Sequence, residues 1–116
     1  MNNVDQVRRY YACVDAGKVD ELVGLFAPDA VYERPGYPEM KGHSALTEFY
    51  ESQRIIESGE HTLQQITADG TDVAVHGRFA GLLKDARRVE LRFADFFTFA
   101  DGLIARRTTF FYTRMV

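Results

Sequence analysis

The chain has no tryptophan, one cysteine and three prolines among 116 residues. A lone Cys13 excludes an internal disulfide and offers no cysteine pair for a metal. It falls on a helical pattern and reads as a small packed residue. No two of the three histidines stand at ligand spacing, so no metal and no other cofactor is expected. Positive charge is not in excess. The formal net charge is −3, and basic residues cluster only in pairs, Arg8-Arg9, Arg87-Arg88 and Arg106-Arg107. That excludes the broad basic surface nucleic acid demands, and each pair reads as a solvated helix or strand face. No apolar run reaches membrane length and no leader pattern opens the chain. A soluble cytoplasmic protein without membrane partners is the expectation. Repeats, low-complexity tracts and linkers are also missing, so one domain is expected over residues 1–116.

What is abundant is phenylalanine, nine residues within a hydrophobic content of 46%. The richest stretch runs from Val89 to Phe99 and alternates as a strand. If Val89, Leu91, Phe93, Phe97 and Phe99 face a core, a period of two puts Asp95 on the same face. Burying an unpaired carboxylate there costs on the order of several kcal/mol, so Asp95 pairs, takes a proton, or opens onto a cavity. Perturbed acids cluster at functional sites. The competing reading is a slipped register that leaves Asp95 at the surface.

The rest of the chain supplies three helices and further strands. Asn3 to Ala16 reads as a helix with Asn3 as its cap, Gln6 completing a capping box, and a stripe of Val4, Val7, Tyr11 and Val14 flanked by Tyr10. Gly17 is the expected stop. Asp20 caps a second short helix, and Pro28-Asp29 ends it. Ala30 to Arg34 is a short strand stopped by Pro35. Ser44 caps a third helix, with Leu46, Phe49, Tyr50 and Gln53 on one side and Gly59 as its end. Four strands follow: Glu60 to Ala68, Thr71 to Leu83, the Phe-rich strand, and Leu103 to about Arg114, with turns at Asp69-Gly70, Lys84-Asp85-Ala86 and Asp101-Gly102. Helices gathered on one face of an antiparallel meander make an α+β domain, and a curled sheet of this kind encloses an apolar pocket with a few polar groups.

The segments Arg9-Tyr10-Tyr11-Ala12, Asp15-Ala16-Gly17, Leu25 to Val31, Gly42 with Leu46 to Tyr50, Phe93 to Phe99 and Gly102-Leu103-Ile104 together resemble the nuclear-transport-factor-2-like (NTF2-like) superfamily. The likeness spans nearly the whole chain and is greatest to the ketosteroid-isomerase and SnoaL-like polyketide-cyclase branches. It implies a cone-shaped α+β fold, three N-terminal helices packed on a curved antiparallel sheet, and a homodimer formed through the open sheet face. It also implies roles. Tyr10 resembles the oxyanion-hole tyrosine, Asp95 the protonated aspartate beside it, and Tyr50 a supporting tyrosine. The proton-moving carboxylate of those isomerases falls at Arg34, which cannot act as a base. Glu33 is adjacent, but alternation points it the other way.

Arg34 therefore reads either as a site cation, reaching a substrate carboxylate or Asp95, or as an edge residue. His61 starts a strand near the expected pocket mouth and is the candidate replacement base, while His43 is expected at the surface and His76 on the far sheet face. Tyr32 shares a strand face with Arg34. Tyr50, Phe93, Phe97 and Phe110 are expected to line the pocket, with Tyr112 continuing the lining and Arg54 at its rim; Arg78 and Arg106 have no assignable face. The epoxide-hydrolase branch uses an Asp-Arg-Asp set that the last strand does not supply. The leading reading is a small enzyme acting on a carbonyl-bearing, apolar or polyketide-like molecule through an enolate, by isomerisation, cyclisation or dehydration. The alternatives are a non-catalytic protein that binds a small apolar organic ligand, and an interaction module without a pocket.

Overall fold

The computed structural model describes residues 2–113. In chain order the elements are α1 (Asn3–Asp15), α2 (Val19–Gly24), β1 (Phe26–Glu33), β2 (Met40–Lys41), α3 (Gly42–Glu48), β3 (Ile56–Asp69), β4 (Asp72–Leu83), β5 (Arg88–Ala100) and β6 (Leu103–Phe111). Among the described residues six strands form one sheet in the order β2-β1-β6-β5-β4-β3. The meander from β3 to β6 is antiparallel, as the turn signals predict. The short β1 joins it as a parallel neighbour of β6. The helices pack on the inner face of this curved sheet, and the core between them is aromatic, with Tyr10, Tyr32, Phe26, Phe49 and Phe97 fully buried. This is the cone-shaped α+β fold expected.

Local signals set most boundaries. Asn2, rather than Asn3, caps α1, its side chain accepting from the Asp5 amide at 2.8 Å. Gly17 leaves α1 at φ 71°, as a helix-ending glycine should. Asp20 lies in the first turn of α2 and Lys18 holds the cap position without a side-chain bond. The α3 helix begins at Gly42, ahead of Ser44. Asp101 and Gly102 both have positive φ, 52° and 77°, the geometry of a tight turn matched to the twist of a hairpin.

Three departures from the expected elements shape the cavity. First, α3 runs directly into a wider π turn over Phe49–Gln53, closed by the Arg54 amide bonding the Phe49 carbonyl at 2.8 Å. Single π turns are a recurrent way of re-aiming side chains at a site. Second, Gly59 does not end that helix; it lies within β3. Third, β6 carries an extra residue. Phe99 pairs with Ile104 and Thr98 with Arg106, so Ala105 has no partner on β5. One extra residue exchanges the two faces of everything after it. Arg107, Thr109 and Phe111 therefore turn toward the helices. Phe110, expected in the lining, is 54% exposed on the outer face, and Tyr112 is also exposed. The expected continuation of β6 to Arg114 ends outside the described residues; within them the strand stops at Phe111.

The sheet is closest where a glycine permits it. A Cβ on Gly77 would stand 2.2 Å from the Thr62 carbonyl oxygen and 3.2 Å from the Phe93 ring. Backbone cannot yield as a flexible side chain does, so Gly77→Ala should cost about 1–3 kcal/mol. The expected readout is a fall in Tm on the order of 5–15 °C. Gly24→Ala, which meets nothing within 4 Å, should leave Tm unchanged or higher.

Candidate functional site

Asp95 is 0% exposed. It faces the helices as the alternation of β5 requires, opposite Thr109 across the β5–β6 pair. Its partner is Arg107, 4% exposed, whose Nη2 lies 2.9 Å from Oδ2. Tyr11 also donates to Oδ2, and Thr109 donates to Oδ1 at 2.5 Å. Burial alone would raise the carboxyl's pKa; the Arg107 charge and the hydrogen bonds from Arg107, Thr109 and Tyr11 outweigh it and hold the pKa below the usual value. Asp95 is thus a carboxylate that accepts. The protonated donor implied by the family resemblance is not what this environment makes. The reading of Arg106-Arg107 as a solvated pair also fails at Arg107, because the bulge at Ala105 sends it inward. Arg106 stays outside, bonded to Glu33 at 2.6 Å.

Arg107 lies within cation–π range of two rings, its guanidinium carbon 4.8 Å from the Tyr10 centroid and 4.5 Å from that of Tyr32. Its Nη1 donates to the hydroxyl oxygen of Tyr10 at 2.6 Å and of Tyr50 at 3.1 Å. The two hydroxyls also bond each other. Burial raises both phenol pKa values against the opposing charge of Arg107, so both remain protonated. Two phenol protons are then available and only one is used between the tyrosines. The second has no protein acceptor among the described residues, and both tyrosines line the cavity.

That cavity is narrow, with room between its walls for about one water molecule, so a larger ligand enters only as the lining side chains part. Arg34, Arg54, His61, Phe93 and Phe111 complete the part of the lining that bears on chemistry. Tyr32 and Phe97, expected in the lining, lie behind it. Tyr32 is fully buried and accepts from Arg34 Nη1 at 2.9 Å. Because Thr109 spends its proton on Asp95, Tyr32 is the donor in its 2.9 Å bond to Thr109. Arg34, Tyr32, Thr109 and Asp95 thus form one directional relay. Arg34 pairs with Tyr32, not with Asp95, and Glu33 points away from it, as alternation predicts.

His61 also lines the cavity. Its Nδ1 is 2.5 Å from Asp15 Oδ1, and its backbone amide donates to Asp15 Oδ2 at 2.9 Å. The rings of Tyr11, Phe79 and Phe93 surround it. Burial lowers the imidazole's pKa below its ordinary 6.5 despite the carboxylate. The Asp15 bond assigns the proton of the neutral ring to Nδ1, which leaves a lone pair on Nε2. The other histidines take no part. His43 is half-buried, not exposed, and bonds the Phe26 carbonyl at 2.9 Å, while His76 is on the outer face against Gln65. Among the described residues, no cluster of ligating side chains stands ready for a metal.

A curved sheet closed by helices over a polar-centred cavity defines the cone-shaped NTF2-like class of fold. Within that class the SnoaL-like domain family matches residues 7–107, and the chain belongs to it. Solved structures agree on the fold. An NTF2-like protein of unknown function from Burkholderia pseudomallei superposes with a TM-score of 0.87 at 18% identity, over 96% of this chain and 91% of that one. SalBIII, an epoxide hydrolase/cyclase-like enzyme of pyran ring formation in the polyether salinomycin, gives 0.81 at 26% identity over 92% and 88%. An epoxide hydrolase of the LEH-like type from Mycobacterium tuberculosis gives 0.80 at 20% identity over 92% and 80%.

The ion pair sets a clear expectation. A protonated Asp95 would tolerate asparagine; a paired one strands Arg107 in an apolar interior. Asp95→Asn should cost about 3–5 kcal/mol in denaturant unfolding. A lowered folded pKa gives stability that is present above the unfolded carboxyl pKa of about 3.9 and is lost as pH falls through the folded value. The wild type should therefore lose this contribution only in acid, and Asp95→Asn should lack it at neutral pH.

Proposed function

We propose that this protein is a small-molecule enzyme that moves a proton on a carbonyl-bearing, largely apolar substrate through an enolate. Isomerisation or ring closure of a polyketide-like compound is the outcome of that chemistry. The observation that supports it most is the presence of two unlike groups in the lining of one cavity: an uncharged imidazole with a free Nε2, and a tyrosine pair with one unspent proton backed by Arg107. The first is a base and the second an oxyanion site. In the proposed step His61 Nε2 takes a proton from the carbon next to the carbonyl. The C–H electron pair becomes the enolate double bond, and negative charge develops on the oxygen. The spare phenol proton of Tyr10 or Tyr50 bonds that oxygen, and Arg107 behind both hydroxyls stabilises the charge. The imidazolium then returns the proton at a different carbon; or the enolate carbon attacks a second carbonyl to close a ring, the π pair of that carbonyl moves onto its oxygen, and the resulting alkoxide takes the imidazolium's proton.

The division of labour differs from the one implied by the resemblance. Arg34 occupies the place of the isomerase base and stays cationic. Burial opposes its charge and the Tyr32 hydroxyl favours it, with the balance on the charged side. The base role passes to His61. Asp95 moves from donor to anchor, fixing Arg107 and Tyr11. SalBIII, at 26% identity, is named for cyclase-like chemistry, which fits this assignment. The second acid of the epoxide-hydrolase set is missing, since Asp95 is the one carboxylate among the described lining residues. Those two displacements also support the second reading, a ligand-binding protein without turnover.

The experiment is deuterium exchange next to the carbonyl in a panel of 1,3-diketones, β-keto esters and cyclic enones, followed by NMR. At least one compound should exchange about a hundredfold faster than in buffer, and His61→Ala should abolish the gain. Tyr50→Phe should lose a factor on the order of 10²–10³, the usual worth of an oxyanion donor. A base must be unprotonated, so the rate should fall on the acid side, with an inflection below 6.5. No exchange in any compound would leave the binding reading.

We further propose a homodimer through the outer sheet face. Phe96 and Phe110 lie there 51% and 54% exposed, edge to face at 5.7 Å. Sedimentation should give a dimer for the wild type and a monomer for Phe96→Glu; a monomeric wild type would remove the proposal.

A further inference from the structure

The charges around the cavity do not cancel. Asp95 neutralises Arg107, and the geometry leaves no second carboxylate for Arg34 among the described residues. Arg34 is only 9% exposed. Tyr32 takes one of its five N–H donors, and its Nε is buried with no partner at all. Its guanidinium carbon stands 5.1 Å from the centroids of both Phe49 and Phe111 and 5.9 Å from that of Tyr37. Rings on that scale temper a cation without giving it a counter-ion. Glu33, its sequence neighbour, is spent outside on Arg106 and Thr108. Arg54, nearer the mouth, also lines the cavity and makes no ion pair within the described residues, but the adjoining cleft it shares holds Asp15, Glu51 and Glu57. Arg34 is the deep cation without compensation, and an uncompensated buried charge is costly unless something pairs it.

We propose that the natural ligand is an acid, and that its carboxylate, or an equivalent planar oxyanion, is read by Arg34. A guanidinium presents two parallel N–H donors matched to a carboxylate, and Tyr32 takes only one of the five here. The ring of Phe111, which lines the cavity beside Arg34, then takes the apolar body next to the acid group. The ligand is held at one end by its carboxylate, with the rest of it extending along the cavity toward the Tyr10–Tyr50 pair and His61. This rests on the cavity being the ligand site, as in the proposed function, and not on turnover there.

The test compares benzoate with its neutral isostere benzamide by NMR titration at pH 7.5, in the wild type, Arg34→Gln, Arg34→Lys and Arg54→Gln. The wild type should bind benzoate at least tenfold more tightly than benzamide. Arg34→Gln should bring the two to within about threefold, with benzamide affinity little changed. Arg34→Lys, which keeps the charge and loses the fork, should keep only part of the preference, and Arg54→Gln should keep nearly all of it. Equal binding of the two probes by the wild type, or no binding of benzoate, overturns the proposal, as does a preference that survives Arg34→Gln. If Arg34→Gln does not fold, Arg34→Lys decides, an unchanged preference overturning it. A benzoate preference with no deuterium exchange supports this inference and removes the catalytic reading. Exchange without the preference does the reverse.

Discussion

Everything polar in this cavity is arranged around one buried ion pair. Asp95 and Arg107 lie 2.9 Å apart between the sheet and the helices, among tyrosine and phenylalanine rings. Desolvating two charges costs several kcal/mol each, and attraction between them offsets that only when the remaining donors and acceptors are also satisfied. The structure meets that condition on the carboxylate, which accepts from Tyr11, Thr109 and Arg107. It meets it less fully on the guanidinium, whose Nε has no partner. A pair of apolar side chains of similar volume would hold the same elements together as well or better. The pair is thus poorly explained by stability and better explained by what it does to its neighbours. It aims Arg107 at two phenol oxygens, and that leaves a phenol proton facing the cavity.

How far the sequence discloses this depends on the strand. On β5 apolar residues recur at every second position on both sides of Asp95, so its inward direction follows from period two, and the structure agrees. On α1 the placement of Tyr10 against Tyr50 follows from the family resemblance, and the hydroxyls do meet. On β6 the sequence is silent for a physical reason. Past the bulge it reads Arg106-Arg107, Thr108-Thr109, Phe110-Phe111, three doublets in a row. A slip of one residue presents the same residue types to the same faces. No periodicity distinguishes the registers, and Ala105, the extra residue, carries no mark. Carrying period two on from the buried Ile104 without the bulge points to Phe110 and passes over Arg107, Thr109 and Phe111, although these three line the cavity. Asp15 escapes sequence reasoning for a different reason. It is 46 positions from His61, and only the packing of α1 against β3 makes them neighbours.

The same register explains why a resemblance in fold does not carry the isomerase roles with it. A carboxylic acid stays protonated in an apolar site when no cation is near. With Arg107 turned inward, Asp95 loses its proton and its ability to donate. The donor function then falls to the tyrosines alone, and their acidity is held in check by burial. At the place of the base, Arg34 cannot accept a proton. Under the proposed function, two substitutions of charge thus move both halves of the chemistry, the oxygen site toward Tyr10–Tyr50–Arg107 and the proton acceptor toward His61.

The hydrogen-bond directions join these changes into one system. Arginine only donates, and Asp95 as a carboxylate only accepts, so the bonds from Arg34 through Tyr32 and Thr109 to Asp95 can run one way only. The proton of Tyr32 is committed to Thr109 and that of Thr109 to Asp95, which leaves neither hydroxyl free to donate to a ligand. Among the described residues, the groups of the cavity lining left uncommitted are few: the phenol proton of the Tyr10–Tyr50 pair, the lone pair of His61, and the N–H groups of Arg34 and Arg54. They differ in kind, one neutral donor, one neutral acceptor and two cations, of which Arg34 is the deeper. A molecule that satisfies all of them carries an oxygen to accept, a proton to give and a negative charge to pair. An enolisable carbonyl compound that also bears an acid group has these properties together.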